Sequence, residues 1–228
     1  MQIKTVCLSY SISPDMPVYG SLPKPEIVQH RSLSKGDSSN QYRITIYNHT
    51  GTHIDAPAHF IKDGKKISDC ADGFLVFNKP ALIDIPKRPG KWVEREDLIG
   101  ILCSKNSDCL IIRTGFGRYR RCDIYRTHNP GISPEAIIFI RQNLPKIRCL
   151  GIDSISVSGF QDRLRGREAH IAAFKKHAGW GKPLLLIEDL NLEPLKGCAR
   201  LKNVIIAPWM INGIDSAPCT VLAEVVCV

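Results

Sequence analysis

Three histidines and an aspartate crowd the segment His49-Thr50-Gly51-Thr52-His53-Ile54-Asp55-Ala56-Pro57-Ala58-His59. A lone histidine is more often a packed core residue than a ligand, and it is the clustering that changes the reading. No lysine or arginine lies among the four, so buried together they require a positive partner, and a divalent cation supplies one. Nitrogen and oxygen donors without thiolate suit zinc, manganese or iron, in a site that keeps an open coordination position rather than a closed structural zinc site. The even spacing of His49, His53, Asp55 and His59 puts all four on one face of a straight strand. Such a strand, rising roughly 3.3 Å per residue, would hold His49 and His53 about 13 Å apart, too far for two ligands of one ion. The backbone must therefore bend between them. Gly51 is the residue that permits it, through a bulge or a left-handed turn that disfavours its β-branched neighbours Thr50 and Thr52.

Two further groups can complete such a site. His170 lies in the helical segment Glu168-Ala169-His170-Ile171-Ala172-Ala173-Phe174, and Glu188 ends the apolar run Leu184-Leu185-Leu186-Ile187. The C-terminal edge of a strand is where α/β sheets expose functional groups. Read alone, His170 is equally a helix-surface histidine and Glu188 equally an exposed carboxylate. His177 is a rival for the ligand position of His170. With His49, His53 and Asp55 as one set and His170 and Glu188 as a second, the two oxygens of Asp55 can bridge, so one or two ions fit the donor count. An open position carries a water whose pKa falls towards neutrality, giving hydroxide as a nucleophile.

The elements that must position these groups follow from periodicity. Alternating or continuous apolar runs predict strands over 3–9, 42–48, 80–85, 110–114, 149–152, 184–188, 204–207 and 221–226. Ser133 caps a helix with Pro134 at its first position, running to Asn143 before Pro145, and a second helix is predicted over 167–178, stopped by Gly179. From Leu110 onward the order is strand, helix, strand, helix, strand, which favours parallel neighbours with helices on a sheet face. The first eighty residues read as strand and loop. Together these predict one α/β domain over 1–228 with a mixed, strongly curved sheet.

Composition narrows the class further. The N-terminus lacks an apolar leader core and no run of about 18 apolar residues occurs, so a soluble, cytoplasmic protein without a membrane partner is expected. Nine cysteines form no C-x-x-C pair and leave one over in any full disulfide scheme, as expected of reduced, mostly buried thiols. The net charge of +9 concentrates at Arg118, Arg120, Arg121 and Arg126 and at Arg163, Arg165 and Arg167. No recognition-helix, zinc-finger or RNP-type pattern accompanies them, so no nucleic-acid partner is expected; the field instead suits drawing an anionic substrate towards the site. A small-molecule substrate and a homodimer or homotetramer are expected.

The pattern His-x-Gly-Thr-His-x-Asp-Ala-Pro-x-His resembles the signature of the metal-dependent cyclase family, which includes bacterial kynurenine formamidases and isatin hydrolases. The resemblance extends through Ser9-Tyr10-Ser11-Ile12-Ser13-Pro14-Asp15-Met16-Pro17-Val18-Tyr19, Leu110-Ile111-Ile112-Arg113-Thr114-Gly115-Phe116, Pro130-Gly131-Ile132-Ser133, Gly151-Ile152-Asp153-Ser154 and Ala207-Pro208-Trp209-Met210-Ile211-Asn212-Gly213-Ile214-Asp215-Ser216-Ala217-Pro218. It implies a swivelling β/β/α fold, a divalent metal with zinc first and manganese or iron as alternatives, and hydrolysis of an amide or lactam C–N bond. It makes His49, His53, Asp55, His170 and Glu188 the ligands and His59 the general acid/base, a role for which a near-neutral imidazole is suited. N-formylkynurenine or a related aryl formamide is the implied substrate. Isatin-type lactam opening, cyclisation by dehydration, and a non-catalytic metal-binding protein on the same fold are the alternatives. The chain departs from the family at Val18-Tyr19-Gly20-Ser21, which lacks the Trp-Pro-Gly-Asp look of kynurenine formamidases, and in the eighteen positions separating His170 from Glu188. Tyr10, Tyr19, Phe60 and Trp209 are candidates to line the substrate pocket.

Overall fold

The computed structural model describes residues 2–70, 75–100 and 105–227. Strands β1 to β7 are Gln2–Cys7, Glu26–Arg31, Gln41–Thr45, His53–Asp55, Val76–Phe77, Pro80–Asp84 and Trp92–Val93. Strands β8 to β13 are Cys109–Arg113, Gly131–Ile132, Cys149–Ile152, Leu185–Glu188, Cys198–Pro208 and Ser216–Cys227, and the helices are α1 (Ile124–Thr127), α2 (Pro134–Asn143) and α3 (Arg163–Phe174). The main sheet runs β5-β12-β13-β4-β11-β10-β8-β6, with β1 also paired to β13. It is mixed and curved, as expected. Strands β6, β8, β10 and β11 are parallel neighbours, whereas β4 joins β11 and β13 antiparallel.

Alternation along the parallel strands sorts side chains between two cores. Leu110, Ile112, Leu150 and Leu186 face Ile137, Ile140, Ala169, Ala173 and Phe174 of the two long helices. Cys109, Ile111, Cys149, Leu185 and Ile187 point the other way, into a core shared with Val6, Phe77, Val204, Val221 and Val225. Burial on both faces is why these strands read as continuous apolar runs.

Several boundaries differ from expectation. Strand β2 was not anticipated; it pairs with β3 as a ribbon whose residues are exposed on both faces. The two C-terminal strands are longer than predicted because they pair with each other along most of their length and, through Ser216 to Pro218, with β4. Tertiary pairing extends them through serine and proline positions that local propensity reads as turn. Helix α2 begins as predicted, with Ser133 Oγ accepting the Ala136 N–H at 3.1 Å. Helix α3 starts and ends earlier than the predicted 167–178. Asp162 caps it by accepting the Arg165 N–H, and Lys175 turns extended. Buried Arg141 donates to the carbonyls of Ala172, Lys175, Gly181 and Lys182, so that it satisfies the helix end and holds the following loop against it.

Four of the seven described thiols, Cys70, Cys109, Cys149 and Cys219, are buried and Cys227 is partly so, as expected of mostly buried thiols, while Cys7 and Cys122 are exposed. Among the described residues no helix is long and apolar enough to cross a membrane.

Candidate metal centre

Strand β4 is the frame of the site. His53 and Asp55 stand at its two ends, and antiparallel pairing sets Glu188 opposite His53 on one side and Ser216 opposite Asp55 on the other. Gly51 precedes the strand with φ of 67°, the left-handed turn that the spacing of His49 and His53 requires. It brings the His49 and His53 rings to 5.2 Å between centroids. Helix α3 presents His170 from its buried face, so neither His170 nor Glu188 is a surface group.

The polar atoms converge without bonding to one another. Asp55 Oδ1 lies 3.1 Å from His49 Nδ1 and 3.5 Å from His53 Nε2. Glu188 Oε2 lies 3.4 Å from His53 Nε2, and His170 Nε2 is 3.4 Å from Glu188 Oε1 and 3.9 Å from Asp55 Oδ2. Yet His53 Nε2 and both carboxylate oxygens of Asp55 are buried and make no hydrogen bond. Buried polar atoms without partners are rare and costly. Donors that approach this closely yet leave their lone pairs unused fit a cation between them, and imidazole with carboxylate is the donor set of zinc, manganese or iron. His53, Asp55 and Glu188 offer atoms within 4.8 Å of one another, as do His49, Asp55 and His59.

Outer contacts fix the ring orientations. His53 Nδ1 lies 2.8 Å from the Gly51 carbonyl, and His170 Nδ1 lies 3.0 Å from the Gly166 carbonyl and 3.1 Å from Ser158 Oγ. Carbonyl acceptors at Nδ1 keep the proton there and leave each Nε2 lone pair turned inward. Glu188 Oε1 accepts from Ser156 Oγ and from the Val157 N–H at 2.9 and 2.7 Å.

His53 and His170 serve as the counter-charge to the two carboxylates. Burial opposes the charged His53 ring, but Asp55 and Glu188 outweigh it and hold its pKa at about 9. Burial likewise works against ionised Glu188, yet the His170 and His53 rings, each 3.4 Å away, draw it down to about 2. Asp55 is also held below the usual carboxylate range, with His53 and His49 overcoming the cost of burial. His59 behaves differently: burial, reinforced by neighbouring His49 and His170, lowers it despite Asp55 and Asp215.

Asp215 is a site residue that sequence reasoning passed over. Its Oδ2 lies 2.7 Å from His59 Nδ1 and 3.4 Å from His49 Nε2, and its Oδ1 accepts from Asn48 Nδ2. The available signal was its place in the C-terminal stretch that resembles the cyclase family, immediately before the strand pairing with β4.

The four aromatic candidates separate. Phe60 stacks on His170 at 4.6 Å and meets His59 edge-on at 4.5 Å. Tyr19 packs edge-on against Phe160, and burial together with Glu188 pushes its hydroxyl up to about 12. Tyr10 and Trp209 instead share a hollow of about 300 Å³ with Ser9, Ile12 and Pro218, which none of the clustered histidines lines. His177 lies outside the cluster, stacked on Trp180 at 4.3 Å in the loop after α3.

A mixed α/β sheet with a buried histidine–carboxylate cluster at the junction of its antiparallel and parallel strands defines the class. Residues 6–158 match the model of the family described as "Putative cyclase", and the chain belongs to that cyclase family. It is 34% identical over 112 residues to an uncharacterized protein of Haemophilus influenzae, spanning 47% of this chain and 78% of that protein. It is 30% identical over 136 residues to a kynurenine formamidase of Bacillus mycoides, covering 58% of this chain and 59% of that enzyme. Among solved structures, isatin hydrolase A from Labrenzia aggregata, bound to benzyl benzoate, superposes with a TM-score of 0.81 at 24% identity over 98% of this chain and 94% of the other.

Proposed function

We propose that the protein is a metal-dependent hydrolase of non-peptide C–N bonds whose substrate is N-formylkynurenine or a related aryl formamide. The observation that carries this reading is the trio of buried, unbonded atoms His53 Nε2, Asp55 Oδ1 and Asp55 Oδ2. The similarity to a kynurenine formamidase supports the substrate class. His49, His53, Asp55, His170 and Glu188 hold the metal, zinc in the first instance with manganese or iron as alternatives. When bound, the ion supplies an acidified water as nucleophile and polarises the amide carbonyl.

The chain's own groups do the rest. Asp215 accepts the Nδ1 proton of His59, which orients the ring and leaves Nε2 for proton exchange. The lowered pKa of His59 keeps a fraction of that nitrogen unprotonated near neutrality, as a base requires. Once it has taken a proton, the same nitrogen delivers it to the departing aryl amine. Phe60 and Tyr19 supply an apolar wall for an aromatic substrate.

The test is turnover of a panel of aryl formamides, cyclic imides and lactams by protein loaded with zinc, manganese or iron. Preferential hydrolysis of a formamide is expected. Turnover confined to lactams would move the substrate to the isatin class, and a loaded protein that turns over no member would overturn the enzymatic reading.

A further inference from the structure

Glu188 ends β11, and the next residue, Asp189, has φ of 54°, the only positive value for a non-glycine among the described residues. A side chain in this left-handed conformation is strained and persists only where the surroundings hold it. Here they do so at both ends. The Asp189 carboxylate is 1% exposed and takes a two-pronged ion pair from Arg120, Nε to Oδ1 at 3.1 Å and Nη2 to Oδ2 at 2.7 Å, with the Tyr125 hydroxyl donating to Oδ1 at 2.6 Å. The Arg120 guanidinium sits over the Tyr10 ring, its Cζ 3.8 Å from the centroid. One arginine of the basic run 118–126 therefore points inward and is spent on this carboxylate, although the sequence suggested a surface field.

The backbone of Asp189 links both sides of the metal centre. Its N–H donates to the Ser154 carbonyl at 2.7 Å, and its carbonyl accepts from Thr52 Oγ1 at 2.6 Å. Thr52 Oγ1 in turn accepts the Tyr10 N–H at 3.0 Å. Thr52 is the residue before His53, and Asp189 is the residue after Glu188. Relaxing the turn at Asp189 to the right-handed region would swing its carbonyl away from Thr52 and rotate the peptide that carries Glu188.

We propose that the Arg120–Asp189 ion pair is a positioning device for the metal centre, clamping the left-handed turn after β11 and so setting Glu188 directly and His53 through Thr52. Neither residue is one of the five proposed ligands. The inference rests on the metal-binding reading of the cluster, and the experiment separates the two.

Affinities for zinc and manganese are measured by chelator competition, with unfolding followed with and without metal, for wild type, Asp189→Asn, Arg120→Met, Arg120→Lys and the double variant Arg120→Met/Asp189→Gly. The double variant leaves no buried charge unpaired and lets glycine keep the turn without strain, so it retains the fold if a single variant does not. Metal affinity is expected to fall about 10- to 100-fold in Asp189→Asn and Arg120→Met, less in Arg120→Lys, and to recover towards wild type in the double variant, where glycine holds the turn without the pair; the rise in Tm on adding metal should follow in step. A purely structural pair would lower the Tm of the metal-free protein and leave both the affinity and the metal-induced rise at wild-type values, which would overturn the clamp. If the wild type itself binds neither metal, the metal-centre reading fails instead.

Discussion

His59 and Asp215, 156 residues apart in the chain, meet with Nδ1 and Oδ2 2.7 Å apart at the rim of the metal centre. The contact gives His59 an orientation and a defined proton position, which His53 and His170 obtain from backbone carbonyls instead. A carboxylate partner suits a ring that must change its charge, because it stabilises the imidazolium as it forms.

This difference predicts separable variants. His59→Ala is expected to keep its metal while kcat falls about 10²- to 10⁴-fold. Asp55→Ala should lose metal and activity together. Metal content measured alongside turnover checks both, and full activity in His59→Ala would remove that residue from proton transfer.

Asp215→Asn probes the orientation itself. An amide can donate to Nδ1 and so favour the other tautomer, with Nε2 protonated. The expected result is a loss in kcat on the order of 10²-fold with KM nearly constant. An unaltered kcat would mean that the 2.7 Å contact is only structural.

The pKa of His53 gives the metal-free protein a defined pH response. That pKa is raised from 6.5 to about 9, so its contribution to stability is fully present below about pH 6.5 and lost as pH rises through about 9. Metal replaces the proton. The gain in Tm on adding zinc or manganese should therefore grow between pH 6.5 and 9, and melting curves of chelator-stripped and loaded protein across that range test it. A gain independent of pH would contradict the assignment of His53 as a ligand.

Gly166 offers a test in which two effects have opposite signs. Alanine in a helix interior is favoured over glycine by roughly 0.5–1 kcal/mol. At this position, however, a Cβ would meet Ser158 Oγ and Cβ at 2.5 and 2.6 Å, and Ser158 contacts His170. The clash should win. Gly166→Ala is expected to be destabilised by about 1–3 kcal/mol and to bind metal more weakly, as measured by denaturant unfolding and chelator competition.

Part of this was legible in the sequence for physical reasons. The crowding of His49, His53, Asp55 and His59 without a cation demanded a counter-ion, and their spacing demanded a bend that Gly51 supplies with its positive φ. The parallel order of β8, β10 and β11 followed from apolar runs alternating with capped helices. These are local properties, set by side-chain chemistry, backbone sterics and periodicity within a few residues.

What the tertiary structure decided is which distant groups meet. Between His170 and His177 the choice turned on where α3 stops, and Arg141, from another helix, holds that stop. Asp215 and Asp189 carry no local mark of function; one gains its place from β13 pairing with β4, the other from Arg120 reaching in from a loop 69 residues away. Local residue types and spacing gather donors suited to a cation around His53 and Asp55. Only long-range packing, which brings groups together across sheet and loop at no fixed spacing, determined what orients them.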